Sequence, residues 1–199
     1  MIAVIDVTGN NLSSLTNAIK RLGYDFQLTH AVDDLNNASH VILPGVGAAP
    51  AAMRALRENQ LVDSLREMKK PLLGICLGMQ LLFESTEEGN VEALNIIPGR
   101  IKRLPSITEH PVPHMGWSRL NWKQESDLSQ GLNDQDYFYF VHSYAALETD
   151  FALASCQYSA QFSAIVQHEN VIGMQFHPEK SALTGLKLLD NFLKMEEIC

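Results

Sequence analysis

The sequence predicts an α/β fold built on a mainly parallel sheet with helices on its faces. Three observations carry that prediction. Strand-like and helix-like patterns alternate through the first half of the chain, the order expected of βαβ units. The early strands are continuous apolar runs rather than alternating ones, as in a sheet covered on both faces. An apolar strand over 71–75 stops at Cys76 and gives way at once to helix formers, so reactive groups are expected at carboxyl strand ends.

The elements follow in order. Ile2 to Val7, broken only by Asp6, is the first strand. Leu12, Leu15, Ala18, Ile19 and Leu22 recur at helical spacing, and Gly23 supplies a stop. Phe26 to Thr29 is a short second strand, and Val41 to Leu43 a third that ends at Pro44-Gly45. A helical region over 49–68 is interrupted near Asn59. Pro71 to Ile75 leads into Cys76, and Leu77 to Phe83 begins a helix. The second half is richer in strands: 101–104, 137–141, 151–156, 163–167 and 171–176, with Asn170 in a hairpin between the last two. Thr184 to Met195 is a closing amphipathic helix with Leu186, Leu189 and Leu193 on one face and Phe192 beside them.

Size and charge narrow the function. A chain of 199 residues, 46% hydrophobic, has the length of one domain (1–199) and enough apolar residues for a core. A net charge of −8 and a pI near 5.3, with no Lys/Arg cluster, argue against nucleic-acid binding. No run approaches the ~20 apolar residues that span a bilayer, and MIAVIDV has no basic leader. Three widely separated cysteines make no disulfide framework, with Cys156 expected in the core and Cys199 in solvent. The expectation is a reduced, soluble, cytoplasmic protein without a cofactor.

The chemistry centres on GICLGMQ at 74–80. A cysteine between strand and helix sits at a helix N-terminus, where unpaired N–H groups favour thiolate. Gly74 and Gly78 leave room for a sharp, crowded turn, like a nucleophile elbow with cysteine in place of serine. The N–H of the following residue, Leu77, then points toward a developing oxyanion. A lone cysteine is ordinarily a small core hydrophobe; Cys76 is set apart by this placement and by FHPEKS far downstream. There His177 follows an apolar strand, and Glu179, two residues on and stiffened by Pro178, can fix its tautomer. PGVG at 44–47 offers consecutive N–H groups at a neighbouring strand end, either an ordinary turn or an anion-binding loop. His110 and His114 are separated by prolines that exclude a helix, so no metal site is expected, and no phosphate-binding glycine motif occurs. His30, His40 and His168 read as surface or loop residues.

Together G-x-C-x-G-x-Q and the downstream F-H-P-E resemble the class I (Cys-His-Glu) glutamine amidotransferase family. LPGVG (43–47), GICLGMQLL (74–82), PHMGW (113–117), YFVHSY (139–144) and QFHPEKS (175–181) resemble, more narrowly, the glutaminase subunits of imidazole glycerol phosphate synthase. The resemblance covers nearly the whole chain. It implies the class I glutamine amidotransferase (flavodoxin-like) fold, a mostly parallel central sheet flanked by helices with a smaller antiparallel sheet. It also implies a nucleophile at Cys76, a proton shuttle at His177 and an orienting carboxylate at Glu179. Gly47 and Leu77 would flank the oxyanion, and Gln80, Glu88, Ser143 and Tyr144 would hold glutamine. Ammonia would pass to a separate (β/α)8-barrel cyclase subunit, with Trp117, Tyr137, Tyr139 and Lys180 facing that partner.

Two positions depart from the family pattern: Ser118 where HMGWN is common, and the loop Asp6-Val7-Thr8-Gly9-Asn10-Asn11. Val46, β-branched inside PGVG, is expected to resist a peptide flip and so to hold glutaminase activity low when no partner is docked. Other readings stand beside this one: an amidotransferase serving anthranilate or guanylate formation, a non-catalytic subunit on the same fold, or a cysteine peptidase or redox sensor.

Overall fold

The computed structural model describes residues 1–6, 12–147 and 149–196. The expected end of the first strand at Val7, the divergent loop beyond Asp6 and Cys199 lie outside these residues. In chain order the elements are β1 (Ile2–Ile5), α1 (Ser13–Arg21), β2 (Phe26–Thr29), α2 (Val32–Asn37), β3 (His40–Gly45), α3 (Ala49–Glu58) and α4 (Leu61–Arg66). Next come β4 (Leu72–Cys76), α5 (Leu77–Leu81), β5 (Phe83–Thr86), β6 (Val91–Glu92), β7 (Ile97–Arg103), β8 (His114–Arg119) and β9 (Asn121–Trp122). The chain closes with β10 (Tyr137–His142), β11 (Tyr144–Ala145), β12 (Ala152–Gln157), β13 (Gln161–His168), β14 (Val171–Met174) and α6 (Ala182–Leu193).

Among the described residues the main sheet runs β2-β1-β3-β4-β14-β13-β12-β9. Its first five strands are parallel and its last three antiparallel. The apolar runs behave as sheet cores covered on both faces. In β1, Ile2 and Val4 pack on one side with Leu15 and Ile19 of α1 and Leu189 and Phe192 of α6. Ala3 and Ile5 pack on the other with Leu35 of α2, Met53 of α3 and Leu65 of α4. Two smaller sheets stand apart, an antiparallel pair β10-β8 and a mixed sheet β11-β7-β5-β6.

Most expected elements are present, and the differences have local causes. Gly23 ends α1 with φ 85°, its N–H bonded to Lys20 O at 2.9 Å. The 49–68 helix is broken where Gln60 takes φ 57°. The helix after Cys76 stops at Leu81, because Phe83 is drawn into pairing with Ile97. The β13–β14 hairpin places Glu169, not Asn170, at positive φ. Asn170 instead turns inward, donating to Met68 O and Lys70 O at 3.0 and 2.7 Å. The short strands β5, β6, β8, β9 and β11 and the six-residue helix α2 have no long apolar period to announce them, and sequence reasoning does not place them.

Candidate active site

The site is assembled at the carboxyl ends of three adjacent parallel strands, β3, β4 and β14. Cys76 closes β4 and caps α5 with φ 54° and ψ −110°, a conformation that costs a non-glycine residue about 1–3 kcal/mol. The surrounding glycines make that turn possible. A Cβ on Gly78 would lie 1.8 Å from Leu43 O, so only glycine lets the first turn of α5 press against β3. The elbow geometry read from GICLGMQ is therefore present, with the turn that carries Cys76 pinned from beneath.

His177 follows β14 and is anchored by its backbone. Its N–H donates to Tyr139 O at 2.9 Å, and its carbonyl accepts from Ser181 Oγ at 2.7 Å. Ser181 Oγ in turn accepts from Tyr139 N at 2.9 Å, fastening the FHPEKS segment to β10. His177 Nδ1 lies 2.8 Å from Glu179 Oε1, which fixes the proton on that nitrogen and leaves Nε2 for Cys76. Burial works against the imidazolium. Hydrogen bonds to Cys76 and Glu179, and the charges of both, outweigh burial and raise His177 to about 10.

A cleft of about 360 Å³ opens over Cys76 and His177. Its walls contain Gly47, Leu77, Gln80, Glu88, Ser143 and Tyr144, bringing every expected oxyanion and substrate position to one place. Gly47 has φ 105°, and Leu77 is the first residue of α5. Gln80 is built into the wall: its amide nitrogen donates to Tyr144 O at 2.8 Å and to Gln175 Oε1 at 3.1 Å, leaving its carbonyl to meet a ligand. Glu88 accepts from the Ala49 N–H at 2.8 Å. A second hollow of about 210 Å³ adjoins the first at Gly45, Val46 and His177, and includes Glu179 and Lys180.

The expected partner-facing residues do not complete the core. Trp117 and Tyr137 are 50% and 44% exposed, on the outer face of the β10–β8 pair, where Trp117 stands opposite Tyr139. Met115 joins them at 62%, and Lys180 is exposed near His177.

Sequence reasoning missed several residues around the site. Gln175 is fully buried just beyond β14, with Nε2 3.9 Å from Cys76 Sγ; its signal is a polar residue inside the apolar run 171–176. His142 and His114 are buried side by side, with His142 continuing the inward alternation of Phe138 and Phe140. His40 and His168 sit in strands rather than loops, their rings meeting Met195 O and Ile96 O at 3.0 and 3.2 Å. Cys156 is buried as expected, and burial pushes its thiol up to about 12. Among the described residues no cluster of three metal-ligating side chains occurs, and no helix is long and apolar enough to cross a membrane.

The sequence profile of the family "Glutamine amidotransferase class-I" matches residues 3–195. The chain belongs to the class I glutamine amidotransferase family. Among similar members is "Imidazole glycerol phosphate synthase subunit HisH 2" of Legionella pneumophila strain Paris, 58% identical over 199 residues and all of both chains. "Imidazole glycerol phosphate synthase subunit HisH" of Xanthomonas axonopodis pv. citri strain 306 is 48% identical, covering 98% of this chain and 97% of that one. A crystal structure described as a glutamine amidotransferase superposes with TM-score 0.75 at 19% identity, covering 97% of each chain. The crystal structure of a glutamine amidotransferase from Thermotoga maritima gives TM-score 0.68 at 16% identity, over 97% of this chain and 96% of that one. At those identities the structural likeness establishes the amidotransferase fold alone.

Proposed function

We propose that this amidotransferase domain is the glutaminase subunit of imidazole glycerol phosphate synthase, acting in cytoplasmic histidine biosynthesis. The observation that carries the glutaminase reading is Cys76 and His177 meeting in one cleft with Gln80, Glu88, Ser143 and Tyr144, with Glu179 bonded behind the His177 ring. The synthase assignment is supported by the names of full-length relatives and by PGVG and PHMGW.

In this reading Cys76 Sγ, its proton passed to His177 Nε2, attacks the side-chain carboxamide carbon of glutamine. The oxygen that gains charge is met by the N–H groups at Gly47 and Leu77. His177 then gives its proton to the departing nitrogen, releasing ammonia and leaving a glutamyl thioester on Cys76. A water molecule, deprotonated by His177, cleaves the thioester to glutamate and restores the thiol. Glu179 holds the ring and balances its positive charge throughout.

Ammonia passes to a (β/α)8-barrel cyclase, which forms imidazole glycerol phosphate and aminoimidazole carboxamide ribotide. Exposed Trp117 and Tyr137, with half-buried Tyr139 between them, give that partner an aromatic face whose backbone, through Tyr139 O, also holds His177. Lys180 stands beside the same opening. A glutamine-analogue electrophile tests the site. Mass spectrometry should find it on Cys76 and not on Cys156, with free glutamine protecting. Equal labelling by peptide or peroxide probes without glutamine protection would instead favour a peptidase or redox sensor.

A further inference from the structure

We propose that His142 and His114 are positioning residues for glutamine, fixing the Tyr144 wall of the cleft through a one-way chain of hydrogen bonds that begins behind the β10–β8 pair. The proposal rests on the glutaminase reading of the cleft.

The direction of the chain follows from its end. His142 Nδ1 lies 2.9 Å from Tyr144 O, a carbonyl that can only accept, so Nδ1 carries the proton. His142 Nε2 is then an acceptor, and its partner at 3.1 Å, His114 Nδ1, must be the donor. That leaves His114 Nε2 as an acceptor for the hydroxyl of Ser118 at 3.0 Å. Ser118 also meets the buried Cys156 thiol through its side chain.

Both rings must stay neutral for this arrangement to hold, and burial ensures it. Burial pushes His114 down to about 4, with the neighbouring His110 adding to the effect. His142 is pushed down to about 3 by burial, against the opposing pull of the Tyr144 carbonyl. Packing fixes the planes: His114 stacks on Tyr158 at 4.0 Å and on Phe140 at 4.9 Å, and Phe162 meets His142 edge-on at 4.9 Å.

What the chain holds is the substrate wall. Tyr144 O receives two donors, His142 Nδ1 and Gln80 Nε2 at 2.8 Å. Gln80 continues to Gln175 and so to Cys76. Ser143 O is pinned separately by Leu104 N at 2.9 Å. Removing the ring donor would leave the Tyr144 carbonyl half-satisfied and free the 144–145 peptide to shift, and the Tyr144 wall of the cleft with it. Ser118, the departure from the family pattern, thereby acquires a role: its hydroxyl supplies the donor for the His114 Nε2 that the chain leaves as an acceptor.

Steady-state glutaminase kinetics of the complex with its cyclase, on three variants, test this. His142→Leu removes both ring nitrogens and should raise KM for glutamine about ten-fold or more, with kcat changed much less. His142→Asn keeps a donor near Nδ1 and should recover most of that loss. Ser118→Ala, at a partly exposed site that tolerates a shorter side chain, should raise KM in the same direction by a smaller factor. It keeps the test decisive if His142→Leu does not fold. Nitrogen-15 histidine spectra should place the proton of both rings on Nδ1 between pH 6 and 8. Unchanged KM in the folded variants, or Nε2 protonation of His142, overturns the proposal. Absence of glutaminase turnover in the parent complex would overturn the underlying reading instead.

Discussion

His177 Nδ1 and Glu179 Oε1 lie 2.8 Å apart, both side chains nearly excluded from water, while the other edge of the same ring faces Cys76. The second Glu179 oxygen is buried without a hydrogen-bond partner, so the side chain's hydrogen bonding is directed to His177 alone. Glu179→Gln should lower kcat by about 10²–10⁴ with a smaller change in KM. The His177 titration should fall from about 10 toward the ordinary imidazole range, followed by NMR. An unchanged kcat would remove Glu179 from the mechanism.

The same ring links stability to alkaline pH. Its folded pKa is above 6.5, so the stabilisation is fully present below pH 6.5 and is lost as pH rises through about 10. His114 and His142 act in the opposite direction. Their folded pKa values are depressed, so the unfolded chain binds more protons below pH 6.5 and stability falls as pH drops toward 4 and 3. Each contributes a slope of up to about 1.4 kcal/mol per pH unit over that window. Denaturant unfolding between pH 7 and 4.5 should therefore be shallower in His142→Asn than in the parent. Parallel profiles would contradict the buried neutral pair.

Gly78→Ala should destabilise the fold by about 1–3 kcal/mol or more, because the new methyl would collide with Leu43 O. Thermal unfolding reads this directly, and labelling of Cys76 should fall with it, since the same contact sets the elbow. A variant as stable and reactive as the parent would mean that β3 and α5 separate without cost.

Val46 is 38% exposed and does not take a positive φ, whereas Gly47 does. Reaching the left-handed region at Val46 costs about 1–3 kcal/mol, equivalent to roughly ten- to hundred-fold in rate. Val46→Gly should therefore raise glutamine hydrolysis by the chain in the absence of its partner. If the folded variant turned over no faster, the loop would not be the restraint.

Trp117 stands on the exposed face of the β10–β8 pair, opposite Tyr139, with ring centroids 5.8 Å apart. Trp117→Ala should weaken cyclase binding about ten-fold or more while leaving the unfolding temperature nearly unchanged. Calorimetric titration with the cyclase checks the first effect. Unaltered affinity would place the interface elsewhere.

The parallel half of the sheet was legible because strands buried on both faces write their apolar runs continuously, as Ile2–Ile5 and Leu72–Cys76 do. Cys76 and His177 were legible because glycine and proline at fixed spacing announce the turns that carry them. The short strands β8 and β11 were not, since Met115, Trp117 and Tyr144 owe their conformation to neighbours far along the chain. His142 escaped for the same reason. Its meaning depends on Tyr144 O and His114, and no spacing rule reveals a hydrogen bond across two strands.

Glutamate release by the purified chain, measured with and without a barrel cyclase and that cyclase's ribonucleotide substrate, bears most directly on the central claim. Hydrolysis should be slow in the chain alone, strongly accelerated in the liganded complex, and lost from both in Cys76→Ala. Glutamate formation that is indifferent to the cyclase, or that survives without the Cys76 sulfur, would contradict that claim.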